Sequence, residues 1–109
     1  MPLHHITPLL PSTALEAEVG VPVWLKLESA QPSASFKLRG MGLAAERAVA
    51  RGATQLVSSS GGNAGYAVGW AGRSLGVPVT VIVPTTTGAR MRQLIAATRA
   101  EVRGSGDVW

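Results

Sequence analysis

The sequence predicts an α/β fold: an open parallel sheet with helices on both faces. Three observations carry this. A helical stretch, a glycine and an apolar strand recur in that order at Gly52, at Gly76 and after Arg99. This is the βαβ alternation that yields parallel strands joined by right-handed crossovers. The segment "VPVTVIVP" is apolar almost throughout, as strands covered on both faces are. Apolar residues make up 46% of the 109 residues, enough for a core and too many for a disordered chain.

Each element has its own signal. "TALEAEVG" reads as a short helix, with Thr13 and Glu16 at capping-box spacing and Gly20 as a left-handed stop. "VPVWLKLES" alternates Val23, Leu25 and Leu27 against Trp24, Lys26 and Glu28, a strand period, and "QPS" breaks it. From Phe36 to Arg51, Leu38, Met41, Ala45 and Val49 fall near one helix face, and Gly52 ends the run. "TQLVSSS" is a short strand running into polar residues. Asn63 is placed to cap the next helix, "AGYAVGWAGRSL", which stops at Gly76. After "VPVTVIVP" comes the helix "GARMRQLIAATR", and "AEVRG" opens a further strand. A helix is expected after that strand, so the ending "GSGDVW" reads as cut rather than finished. Trp24 and Trp70 read as packing residues and Trp109 as a chain end. The excess of Gly and Ala points to closely packed helices.

Composition narrows the function. The net charge is +4, but the arginines between Arg39 and Arg103 are scattered. They read as solvated helix faces, and no nucleic-acid partner is expected, because such binders cluster their charge. There is no cysteine, hence no disulfide, thiolate metal site or Cys nucleophile. This fits a reducing, cytoplasmic setting. The N-terminal "MPLHHITPLLPSTALEAEVG" lacks the basic region and long apolar run of a secretory signal. No stretch approaches the roughly 20 apolar residues of a membrane span, so no membrane partner is expected. His4 and His5, adjacent near the terminus, read as incidental, and no metal site is expected.

Two segments carry chemistry. In open α/β sheets ligands bind at the carboxyl ends of strands. After the strand at Leu56 and Val57 comes "SSSGGNAG", residues 58–65. It offers hydroxyls, two consecutive glycines and a helix N-terminus, whose free N–H groups and dipole favour an anion. Gly61 and Gly62 let the backbone approach a ligand, and Asn63 can donate from its amide as well as cap. The plainer reading is a tight turn with an Asn cap. The P-loop pattern is absent, the glycines Gly61, Gly62 and Gly65 do not make GxGxxG, and "VPVTVIVP" holds no acidic residue for a ribose. A nucleotide site is therefore disfavoured.

The second segment is "SASFKLRG", residues 33–40. Lys37 falls in the first turn of a helix, with Ser33 or Ser35 near the cap. The positive end of the dipole disfavours an ammonium there, and burial beside Phe36 adds to this. Both favour the neutral amine, the nucleophile that forms a Schiff base. For a lysine taken alone, snorkelling from a helix start is the plainer reading.

"SAQPSASFKLRG" together with "SSSGGNAG" resembles the fold-type II pyridoxal-phosphate enzymes, the tryptophan-synthase-β-like group. The similarity is greatest to the L-serine dehydratase/L-threonine deaminase branch. It runs over essentially the whole chain, through "TPLLPS", "LGVPVTVIVP" and "TTTGARMRQL". "SFKLRG" favours dehydratases and racemases, and "SAQPS" leans toward serine dehydratase. The resemblance implies that Lys37 forms the Schiff base with pyridoxal phosphate and then removes the Cα proton of the substrate. It implies that Phe36 packs on the cofactor ring and that Asn63 bonds the cofactor's 3′-oxygen. Ser60, Gly61, Gly62, Asn63 and Ala64 would hold the substrate carboxylate. The reaction implied is β-elimination of water from L-serine or L-threonine, giving pyruvate or 2-oxobutyrate and ammonia.

Family members are longer. Their phosphate-gripping Gly-rich loop and the polar residue facing the pyridine nitrogen lie beyond the position of Trp109. The resemblance thus implies an N-terminal fragment, poor at binding cofactor by itself and aggregation-prone. Residues 1–35 would be an arm and strand of the large catalytic domain, and residues 36–109 most of the small α/β domain. The full-length parent would be a homodimer. Serine racemase, or another fold-type II enzyme, is the near alternative. From a different class, a non-catalytic carboxylate-binding α/β module is the other.

Overall fold

The computed structural model describes residues 1–107, so the reading of Trp109 as a chain end lies outside the described residues. The described residues form two sheets. In the first, β1 (Leu9–Pro11) pairs antiparallel with β2 (Trp24–Lys26), Leu10 facing Leu25, and α1 (Thr13–Val19) joins them. A single 3-10 turn over Glu28–Ala30 leads into α2 (Lys37–Ala50). The second sheet has the order β3 (Leu56–Ser58), β4 (Val79–Val83), β5 (Glu101–Gly104), all parallel. Its crossovers are α3 (Asn63–Leu75) and α4 (Ala89–Ala97). No described helix is long and apolar enough to cross a membrane.

The parallel sheet and its helices follow the expected order. In β4, Val79, Val81 and Val83 point to one face and are buried under α3 and α4 with Ile95 and Ala100. Leu56, Tyr66, Val68, Met91 and Val102 complete that core. On the opposite face Thr80 accepts from the Gln55 amide at 3.2 Å, Arg103 pairs with Glu101 at 2.7 Å, and Val57 is exposed.

Helix α3 is laid on the sheet by a stripe of small residues. A Cβ at Gly65 would collide with the Ser60 carbonyl and Val81; one at Gly69 would meet the Thr98 hydroxyl, and one at Gly72 Val79. The absent side chains let the helix axis approach the strands within van der Waals contact. The Gly and Ala excess of the sequence has this packing as its cause. On α2, Leu38, Gly42 and Ala45 are buried and the helix packs on α3. Gly52, at φ 98°, ends the run in a backbone region that other residues rarely adopt.

The N-terminal segment departs from expectation in three ways. The strand over "VPVWLKLES" shrinks to Trp24–Lys26. Its partner Leu9–Pro11 carries no sequence signal, because three residues that follow Pro8 and end in Pro11 show no period. Pro11 is tolerated at the end of an edge strand, where its missing N–H costs no ladder bond. The cap of α1 is Ser12 rather than Thr13. Ser12 is extended (φ −111°) and its Oγ accepts from the Leu15 N–H at 3.3 Å. That shifts the first turn by one residue, so the Thr13–Glu16 capping box does not form. Gly20 does supply the left-handed stop, at φ 77°.

Candidate active site

Lys37 is the first residue of α2, as the sequence indicates, and is half-buried. Its surroundings differ from expectation. Phe36, helical at φ −61°, sits at the cap position, and no side chain caps the helix. The ring of Phe36 is 57% exposed and so does not bury its neighbour. It lies instead 5.0 Å from the Lys37 nitrogen, a cation–π geometry. Ser33 and Ser35 are not caps either. Their hydroxyls are buried and have no hydrogen-bond partner.

The loop carrying Lys37 is fixed from the N-terminal segment. Glu28 receives both ends of the Arg39 guanidinium, Nε to Oε2 and Nη2 to Oε1, each at 2.8 Å. The Thr7 hydroxyl donates to Glu28 at 2.5 Å and the Gln31 amide at 3.2 Å. Gln31 closes a second fork on the His5 backbone, accepting from its N–H and donating to its carbonyl, both at 2.8 Å. Lys26 donates to the Thr7 carbonyl at 2.6 Å. The Arg39 guanidinium, seconded by the Thr7 hydroxyl, holds the Glu28 carboxyl down at about 2. Arg39 is thus not the solvated surface arginine that its place in the scatter of basic residues implied. Its partner stands eleven residues away across a loop, a separation at which pattern reading is blind.

The Asn loop lies where expected, at the carboxyl end of β3, and it abuts the loop after β4. A Cβ on Gly61 would stand 2.5 Å from Thr87 Oγ1 and 3.2 Å from Pro84 Cδ. The close approach that Gly61 permits in this structure is therefore to the neighbouring loop. Beside Gly62 the space is open. Asn63 is not the helix cap: Gly62 takes that position, no side chain caps α3, and Asn63 is exposed as the first helical residue. The reason is local. Ser60 Oγ already accepts the Gly62 N–H at 3.3 Å, so the turn closes one residue earlier. Ala64 follows, half-buried, inside the first turn of α3. Lys37 and Asn63 are thus each the first residue of one of two helices that pack on each other.

These residues fit part of pyridoxal phosphate. An exposed aromatic ring, an amine at a helix start and an exposed amide are groups that suit a flat, polar-edged ring. They offer no comparable cradle for its phosphate.

The comparisons with known proteins agree. Residues 1–109 match the family described as pyridoxal-phosphate dependent enzyme. The chain is 46% identical to human serine dehydratase-like over 108 residues, 99% of the chain and 33% of that protein. It is 45% identical to human L-serine dehydratase/L-threonine deaminase over 107 residues, again 33% of the relative. Among solved structures, a fungal L-serine ammonia-lyase from Rhizomucor miehei superposes with a TM-score of 0.88 at 35% identity, over 100% of this chain and 35% of that one. The chain spans about a third of the length of the relatives it matches. With the family matched from the first residue to the last, the chain belongs to the pyridoxal-phosphate dependent enzymes.

Proposed function

We propose that the protein carrying this chain is an L-serine/L-threonine ammonia-lyase. It would eliminate water from the amino acid, and hydrolysis of the resulting enamine, by way of its imine, would release ammonia and leave pyruvate or 2-oxobutyrate. The observation that carries the reading is that Lys37 heads α2 and Asn63 heads α3, two helices that pack on each other, with open space beside Gly62. The names of the relatives supply the substrate class. The cofactor, when bound, supplies the electron sink for charge developing at Cα.

The residues of the chain supply position and proton transfer. Lys37 Nζ holds the cofactor and moves the Cα proton. Phe36 offers its exposed ring as a stacking face, and the Asn63 amide donates to the 3′-oxygen. The loop from Ser60 to Ala64 takes the substrate carboxylate at the N-terminus of α3, where N–H groups and dipole favour an anion. The Ser60 hydroxyl occupies one of those N–H groups, that of Gly62. A carboxylate would take it over. Residues 1–35 belong on this reading to a large catalytic domain, whose remainder forms the other two thirds of a longer polypeptide, and residues 36–109 to the small one. The lack of cysteine fits a cytoplasmic parent, and the resemblance implies that this parent is a homodimer.

The test is to supply the full-length protein with pyridoxal phosphate and L-serine, follow pyruvate, and map borohydride-fixed adducts. The expected result is pyruvate release with the adduct on Lys37. Lys37→Ala should abolish both, since removal of the covalent nucleophile costs several orders of magnitude. D-serine as the main product would move the assignment to a racemase. Equal, weak labelling of Lys26 and Lys37 without product would favour a carboxylate-binding module.

A further inference from the structure

The segment from Gln31 to Phe36, which presents Lys37, combines three unfavourable features. Ala34 is held at φ 57°, a left-handed conformation that costs a residue bearing a Cβ. Ser33 is 1% exposed and Ser35 7% exposed, and neither hydroxyl has a partner, a desolvation cost for each. The segment also opens onto a helix whose first turn carries Lys37 and Arg39 and no acid, two cations at the positive end of the dipole. A free loop would relax from such a state. It is closed at both ends instead. Glu28 on one side grips Arg39 on the other through two parallel 2.8 Å bonds, a fork that fixes orientation as well as distance. Glu28 is itself anchored by Thr7, and Gln31 by the His5 backbone.

We propose that Glu28 and Arg39 are positioning residues: their ion pair clamps a strained loop so that the Lys37 amine is held ready for the cofactor. The inference rests on the reading of Lys37 as the cofactor's lysine. The clamp acts before any cofactor arrives. The strain at Ala34 and the two unpartnered hydroxyls are conformational cost held in place by the pair, as strained segments at functional sites generally are.

The experiment uses the full-length protein and two readouts. Amide hydrogen exchange reports loop opening without cofactor, with α4 as internal reference. The fraction of Lys37 carrying a borohydride-fixed pyridoxal-phosphate adduct reports its presentation. Glu28→Gln keeps the shape and removes the charge. It should speed exchange at residues 33–37 by about tenfold or more, the scale of a lost hydrogen bond to a charged group. Exchange in α4 should be unchanged and the Lys37 adduct reduced. Adding Ala34→Gly, which removes the left-handed penalty, should recover roughly threefold of the loop protection. Unchanged loop exchange in Glu28→Gln, or equal acceleration in the loop and α4, would overturn the clamp. If Glu28→Gln does not fold, Arg39→Lys keeps the charge but loses the fork, and the same local acceleration is required of it. A wild-type protein with no adduct on Lys37 and the same Glu28→Gln loop effect would sink the cofactor reading while the clamp itself stands.

Discussion

Glu28 is where the N-terminal segment and α2 meet, and its carboxyl must be ionised for the junction to hold. Arg39 first, and Thr7 after it, keep the carboxyl at about 2 against an ordinary 4.5. A carboxyl depressed in the folded state contributes stability that is complete above its unfolded value and lost as pH falls through the folded one. The stability difference between wild type and Glu28→Gln should therefore be constant above about pH 5. It should shrink between 4.5 and about 2. Urea midpoints at pH 7, 4 and 3 check this, and a difference that ignores pH would contradict it. At the same scale, Ser60→Ala frees the Gly62 N–H. It should change KM for the amino acid more than kcat, because the group that meets the carboxylate is altered while Lys37 is not.

At the scale of elements, glycine separates packing from propensity. Gly40 and Gly65 both lie inside helices. Beside Gly40 nothing lies within 4 Å, whereas a Cβ at Gly65 would strike the Ser60 backbone carbonyl. Gly40→Ala should stabilise by about 0.5–1 kcal/mol, the helix-propensity gain. Gly65→Ala should destabilise by about 1–3 kcal/mol, because the obstacle is backbone and overpacking outweighs that gain. Denaturant unfolding of the two variants gives opposite signs if α3 is seated as described. Ser12→Ala should cost about 1 kcal/mol through loss of the α1 cap, whereas Thr13→Ala should cost little.

At the scale of the molecule, the chain is extended. Its radius of gyration is 16.3 Å, against about 13 Å for a compact domain of this length. The β1–α1–β2 segment accounts for much of the unburied apolar surface: Leu9, Leu10, Leu15, Val19, Val21, Trp24 and Leu25 are all exposed. The relatives are about three times as long as this chain, and a longer polypeptide would have material to cover that surface. The 109 residues expressed by themselves should self-associate, as apolar patches of this kind do. Light scattering behind a sizing column measures this. A clean monomer would show that the segment does not need a partner surface.

The division between sequence and tertiary structure follows from range. Helices α2 to α4 and strands β3 to β5 were legible because each carries its own period and ends at Gly52, Gly76 or a polar run. The places of Lys37 at a helix head and of the Asn loop after β3 were legible because local chemistry marks them. The strand β1, the Ser12 cap and the burial of Ser33 and Ser35 were not. A three-residue strand has no period, and a cap depends on which hydroxyl the turn happens to reach. What only the folded chain decided is the company of Lys37: an exposed Phe36 rather than a burying one, and a Glu28–Arg39 pair holding its loop. The direction a ring takes and the partner a guanidinium finds across an eleven-residue loop are set by the folded backbone, not by the local pattern.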